Sequence, residues 1–119
     1  MLETSGSLSI SKVPEEIIKI IDFKCPSSKM EKKNLWSIVN DIKSHDEIKF
    51  VIGDRIDFDW AKEKIKLYEL DNICTILFSP TFGKIEPKLI VQWILEENLS
   101  VRIQLQLHKQ IWNAEKKAV

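Results

Sequence analysis

Runs of β-branched and aromatic residues alternate with helical stripes along this chain, and that succession narrows the possible folds more than any other feature of the sequence. The segment Ile17-Ile18-Lys19-Ile20-Ile21-Asp22-Phe23 is nearly continuously apolar, the pattern of a strand covered on both faces in a parallel sheet, and it should end near Cys25-Pro26. Leu35, Ile38, Val39 and Ile42 recur at i, i+3, i+4 and i+7, which predicts a helix over residues 31–43. A second strand follows at Ile48-Lys49-Phe50-Val51-Ile52 and is broken by Gly53-Asp54. Asp57 is placed to cap the next helix, whose buried face reads as Phe58, Ala61, Ile65 and Tyr68. Residues 73–78 form a third strand and 79–83 a loop; Pro87 then opens a helix with the stripe Leu89, Ile90, Trp93 and Ile94.

The last strand, over residues 101–108, alternates strictly. Arg102, Gln104, Gln106 and His108 share one face, and Val101, Ile103, Leu105 and Leu107 share the other. Four hydrogen-bonding side chains in a row suit a strand whose polar side lines a cavity or meets solvent. Strand, helix, strand, helix, strand, helix, strand with short loops makes the fold class α/β, with a parallel sheet and right-handed crossovers. Met1-Leu2-Glu3-Thr4-Ser5-Gly6 reads as the end of a further strand running into a turn, with no strand body before it.

A chain of 119 residues, 44% of them apolar, supports one core and one domain spanning residues 1–119. Its 18 basic and 18 acidic residues cancel and are interspersed, which gives no stripe for nucleic acid. No apolar run reaches the roughly 20 residues of a membrane span, and no signal segment is visible, so the expected location is the cytoplasm. Cys25 and Cys74 are far apart and read as reduced thiols; no closed metal site can be built from neighbouring ligands. In parallel βα sheets ligands gather beyond the carboxyl ends of the strands, here Glu3-Thr4-Ser5-Gly6, Asp22-Phe23-Lys24, Gly53-Asp54, Ser79-Pro80 and Gln106-Leu107-His108.

Several of these segments, taken with Cys25-Pro26-Ser27-Ser28, Lys33-Asn34-Leu35-Trp36, Asp46-Glu47-Ile48-Lys49-Phe50-Val51-Ile52-Gly53-Asp54-Arg55, Leu77-Phe78-Ser79-Pro80 and Gln104-Leu105-Gln106-Leu107-His108-Lys109, resemble the 7-carboxy-7-deazaguanine synthase family in order and spacing. The resemblance covers essentially the whole chain but only the carboxy-terminal portion of the family's length. It implies a partial (βα) barrel and a radical S-adenosylmethionine carbon–nitrogen lyase of queuosine and deazapurine biosynthesis. Such an enzyme contracts the ring of 6-carboxytetrahydropterin to give 7-carboxy-7-deazaguanine. The implied cofactors are S-adenosylmethionine, a [4Fe-4S] cluster and magnesium, and the protein's part is to hold them in line with the pterin and exclude water.

Residue by residue, the resemblance places Glu3, Ser5, Asp22, Lys24 and Ser79 at the S-adenosylmethionine, and Gln106 and His108 at the pterin. Ile111-Trp112 matches a tail that helps to cap the substrate, although Gln110 and residues 113–119 depart from the family's pattern there. No catalytic or metal-ligating residue is assigned within the chain. Trp36, Trp60 and Trp93 are expected to pack against the sheet, and His45 receives no role. The family's CxxxCxxC motif, its magnesium ligand and its Gly-Gly-Glu-Pro segment have no counterpart among these residues, and Cys25 and Cys74 cannot replace them. The expectation is therefore an inactive isolated chain that requires an amino-terminal partner half, with a homodimer as a further possibility. The competing reading is a non-catalytic α/β interaction module or a remnant of the enzyme. A plain nucleotide binder would need phosphate-cradling glycines, and the chain has three glycines, none so placed.

Overall fold

β-branched and aromatic runs become strands here because their side chains pack well on a pleated surface, and five such strands pair side by side in the computed structural model. It describes residues 2–6, 9–11, 13–14, 16–34 and 36–105. The strands are β1 (Leu2–Ser5), β2 (Lys19–Phe23), β3 (Glu47–Ile52), β4 (Thr75–Pro80) and β5 (Arg102–Ile103). All neighbouring pairs are parallel, and the order across the sheet is the order along the chain. Two helices, α1 (Arg55–Tyr68) and α2 (Pro87–Glu96), occupy the connections after β3 and β4.

Alternate residues of the three central strands form the core. Ile21 and Phe23 of β2, Ile48, Phe50 and Ile52 of β3, and Ile76 and Phe78 of β4 pack with Phe58, Ala61 and Ile65 of α1 and Ile90 of α2. Trp36 lies between Phe23, with ring centroids 4.5 Å apart, and Tyr68, at 4.8 Å, as a packing role requires. Trp60 and Trp93 also pack against this cluster. The opposite strand residues form a second face that carries no part of the cluster.

Four local expectations are corrected. The described residues of 31–43 do not form an α-helix; they include two short 3-10 helices, Glu31–Lys33 and Trp36–Asp41. Asn34 is engaged elsewhere: its side chain accepts from the Lys24 amide and donates to the Lys24 carbonyl, each at 2.9 Å, which pins the loop to the end of β2. The following Val39-Asn40-Asp41 are weak helix formers, so nothing compensates, although Ile38 and Ile42 still reach the core. The cap of α1 is Asp54, whose side chain accepts from the Asp57 amide at 2.8 Å. Ser79 and Pro80 extend β4 because their pairing with Val51 and Ile52 continues. Leu89 points outward, 38% exposed, so α2 buries a narrower stripe centred on Ile90. Pro87 does take the first helical position.

At the amino ends of the strands, Lys19 and Asp46 form an ion pair at 3.3 Å, with side chains 2% and 0% exposed. Asp46 also accepts the amides of Lys19 at 2.9 Å and Lys43 at 2.8 Å, so both oxygens are satisfied.

Candidate functional site

Strand alternation and the observed register place the expected ligand residues on the second face. Ser5, Asp22, Lys49, Leu77 and Arg102 stand in one transverse row across all five strands. Glu3 and Ile20 pair one level below on β1 and β2, and Val51 and Ser79 one level above on β3 and β4. Lys24 follows Asp22 on the same side, and its ammonium meets Asp22 Oδ2 at 3.1 Å. The structure thus brings Glu3, Ser5, Asp22, Lys24 and Ser79 to one face or its upper rim. Gln106, His108, Ile111 and Trp112 lie outside the described residues.

The environments of these groups differ. Glu3 is 61% exposed, whereas Ser79 is 2% exposed. Asp22 is half-buried; Oδ2 takes the lysine, and Oδ1 is buried without a hydrogen-bond partner among the described residues. An orphaned carboxylate oxygen is costly unless something donates to it. Ile20 and Leu77, both buried, and the half-buried Val51 stand between the polar groups on this face.

Above this face the strand ends form a rim. The Gly6 amide donates to the Asp22 carbonyl at 2.7 Å. A Cβ on Gly6 would lie 2.4 Å from Phe23 Cδ1, so this position takes glycine because the Phe23 ring lies against it. Beyond β2, Asp57 is fully buried and accepts from the amides of Gly53 at 2.7 Å and Ser27 at 2.9 Å, and from the Ser27 hydroxyl. This joins the loop after β2 to the start of α1. A cleft of about 240 Å³ opens there, lined by Lys24, Ser27, Ser28, Thr81 and Lys84 among others. Lys84 also lines a neighbouring cavity of about 390 Å³ bounded by Phe82, Ile85, Glu86 and Leu105.

The sequence reading missed Lys49. Its ammonium meets Glu3 Oε1 at 2.7 Å across the intervening strand β2. The polar alternation of β3 was a signal that Lys49 shares a face with Asp22, but its partner is 46 residues away and no local pattern reveals it. Arg102 was read on the polar face of the last strand, and its register with Leu77 puts it there.

The thiols do not fit a metal cluster. Cys25 and Cys74 are both buried and form no disulfide. Cys25 follows the carboxyl end of β2 and Cys74 precedes the amino end of β4, a separation of roughly 20 Å along the strands. Burial, then the carboxylates of Asp57, Asp22 and Asp54, push the Cys25 thiol far up. Burial, with Asp46 and Glu47, pushes Cys74 to about 12. Neither is a ready thiolate. Among the described residues no three His, Cys, Asp or Glu side chains gather as a metal site, and no helix is long and apolar enough to cross a membrane.

Comparison with known proteins bears out the family resemblance. Six curated proteins that match are all named 7-carboxy-7-deazaguanine synthase. The chain is 37% identical to that of Koribacter versatilis over 132 residues, covering all of this chain and 58% of the relative. It is 38% identical to that of Chlorobaculum tepidum over 122 residues, covering all of this chain and 56% of the relative. It is 37% identical to that of Methanospirillum hungatei over 108 residues, covering 91% of this chain and 44% of the relative. The chain therefore spans about half the length of the curated relatives it matches. No family model matches it, and no solved structure does.

Proposed function

We propose that this chain, matched along its full length by proteins that share the name 7-carboxy-7-deazaguanine synthase, forms the carboxy-terminal wall of such an enzyme's pocket. The single observation that carries this reading is the second face of the sheet, where Glu3, Ser5, Asp22 and Ser79, read from separate segments, fall together. Strand order supports a partial (βα) barrel. Same-handed crossovers between strands in chain order keep every helix on one side, as around a barrel, whereas doubly wound sheets reverse at a switch point. The second face would then be the lumen.

S-adenosylmethionine fits this face. Lys24 would pair with its carboxylate. Asp22 Oδ1, buried and without a hydrogen-bond partner among the described residues, would accept from one of its donors, either the ammonium or a ribose hydroxyl. Glu3 and Ser5 extend the polar lining toward β1, and Ser79 adds a hydroxyl beside Val51. When bound with its cluster, the cofactor supplies the chemistry for the ring contraction of 6-carboxytetrahydropterin. This chain's contribution is to orient the cofactor, present an apolar floor from Ile20, Val51 and Leu77, and exclude water. Gln106 and His108, a few residues after β5 in sequence, are assigned to the pterin.

The cluster and the magnesium ion do not fit the described residues, so in this reading they are held by a partner half bearing CxxxCxxC in the cytoplasm. The test is titration of the full chain with S-adenosylmethionine, followed by backbone NMR. Shifts confined to Glu3, Asp22, Lys24 and Ser79 support the assignment, and shifts at the amino ends of the strands count against it. In a second arm the chain is mixed with a separately expressed CxxxCxxC half and reconstituted with iron and sulfide. Cofactor cleavage that needs both chains supports the split reading; cluster absorbance on this chain alone would contradict it.

A further inference from the structure

We infer that Lys49 is a positioning residue that fixes the Glu3 carboxylate on the second face, an inference that rests on the cofactor reading above. Lys49 stands on central strand β3 and Glu3 on β1, two strands apart, so the pair must span about 10 Å of sheet. It does so at 2.7 Å between Nζ and Oε1, crossing β2 diagonally from the row of Asp22 to the row of Ile20.

Choice of partner gives this geometry its meaning. Asp22 is the register neighbour of Lys49 and nearer in the ladder, yet its Oδ1 has no hydrogen-bond partner among the described residues and its Oδ2 takes Lys24. Lys49 is extended instead to the more distant, 61% exposed Glu3, while its own side chain is 17% exposed. An ion pair with one partner that open adds little to stability. Its effect is to remove rotamer freedom from a flexible carboxylate on an outer strand, so that Glu3 meets a ligand without first being ordered. Lys49 also brings a positive charge to a face that carries two carboxylates, Glu3 and Asp22.

The test compares S-adenosylmethionine affinity, by calorimetry, in the full chain and in Glu3→Gln, Lys49→Met, Lys49→Gln, Lys49→Arg and the Glu3→Gln/Lys49→Met pair, with melting temperature followed in each. Expected is a loss of about tenfold for Glu3→Gln and for both neutral variants at Lys49, an unchanged melting temperature, no further loss in the double variant, and recovery by Lys49→Arg. Weak binding by Glu3→Gln with full affinity in both neutral Lys49 variants, or losses that simply add, overturns the inference and leaves the cofactor reading standing. A chain that does not bind the cofactor, or whose affinity ignores Glu3, overturns the cofactor reading and the inference with it.

Discussion

Single side chains decide both the stability and the site of this molecule. Burial would raise the Asp46 carboxyl, but the amides of Lys43 and Lys19 and the Lys19 ammonium outweigh it and hold it below its ordinary value of 3.8. A carboxyl depressed in the folded state adds stability that is complete above its unfolded value and is lost as pH falls through the lower, folded one. Denaturant midpoints should therefore drop below about pH 4 in the native chain. Asp46→Asn should cost about 3–5 kcal/mol at neutral pH, because the Lys19 charge stays buried without its counter-ion, and should flatten that acid dependence. Melts at a series of pH values check both outcomes. Neither partner announces itself in the sequence: Lys19 sits inside an apolar run and Asp46 in a polar turn, and only the parallel pairing of β2 with β3 brings them together.

Among the elements, α1 is the one whose start is most sharply specified. Asp54 caps it, and Asp57, one turn in, ties it to the loop after β2. Asp54→Ala should lower stability by about 1 kcal/mol and speed amide exchange in the first turn of α1 more than in α2, which hydrogen-exchange measurements can read. The strand read over residues 101–108 is Arg102–Ile103 among the described residues, with 101, 104 and 105 outside it, whereas the first four strands and both α-helices were legible in the sequence because their patterns are local. Residues 31–43 were not, since an apolar stripe at helical spacing does not reveal that Asn34 is held by the backbone of Lys24, ten residues earlier. Part of the site was legible for a similar reason: Asp22 and Lys24 are two apart on one strand and must share a face, whereas the pairing of Glu3 with Lys49 depends on the whole sheet. Arg55 and Lys62 of α1 both bond to Glu97 at the end of α2, another tie that only the folded arrangement discloses.

At the scale of the whole molecule, the sheet divides labour between its faces, one packed under helices and the other mixing charged groups with Ile20, Val51 and Leu77. Both thiols lie in the packed parts. They should resist a thiol reagent at pH 8 in the native chain and titrate as two equivalents once it is unfolded, a difference that absorbance assays measure directly. Fast labelling of either cysteine under native conditions would mean that the core opens locally. Among the described residues β1 has a single neighbour, β2, and it is only four residues long. A margin of that kind detaches more often than the centre, so in the proposed reading Glu3 meets a ligand only in the fraction of molecules where the margin is closed. Apparent affinity falls in proportion to that fraction, and whatever clamps the outer border, be it a side-chain tether or an adjoining polypeptide, would strengthen binding without touching the ligand.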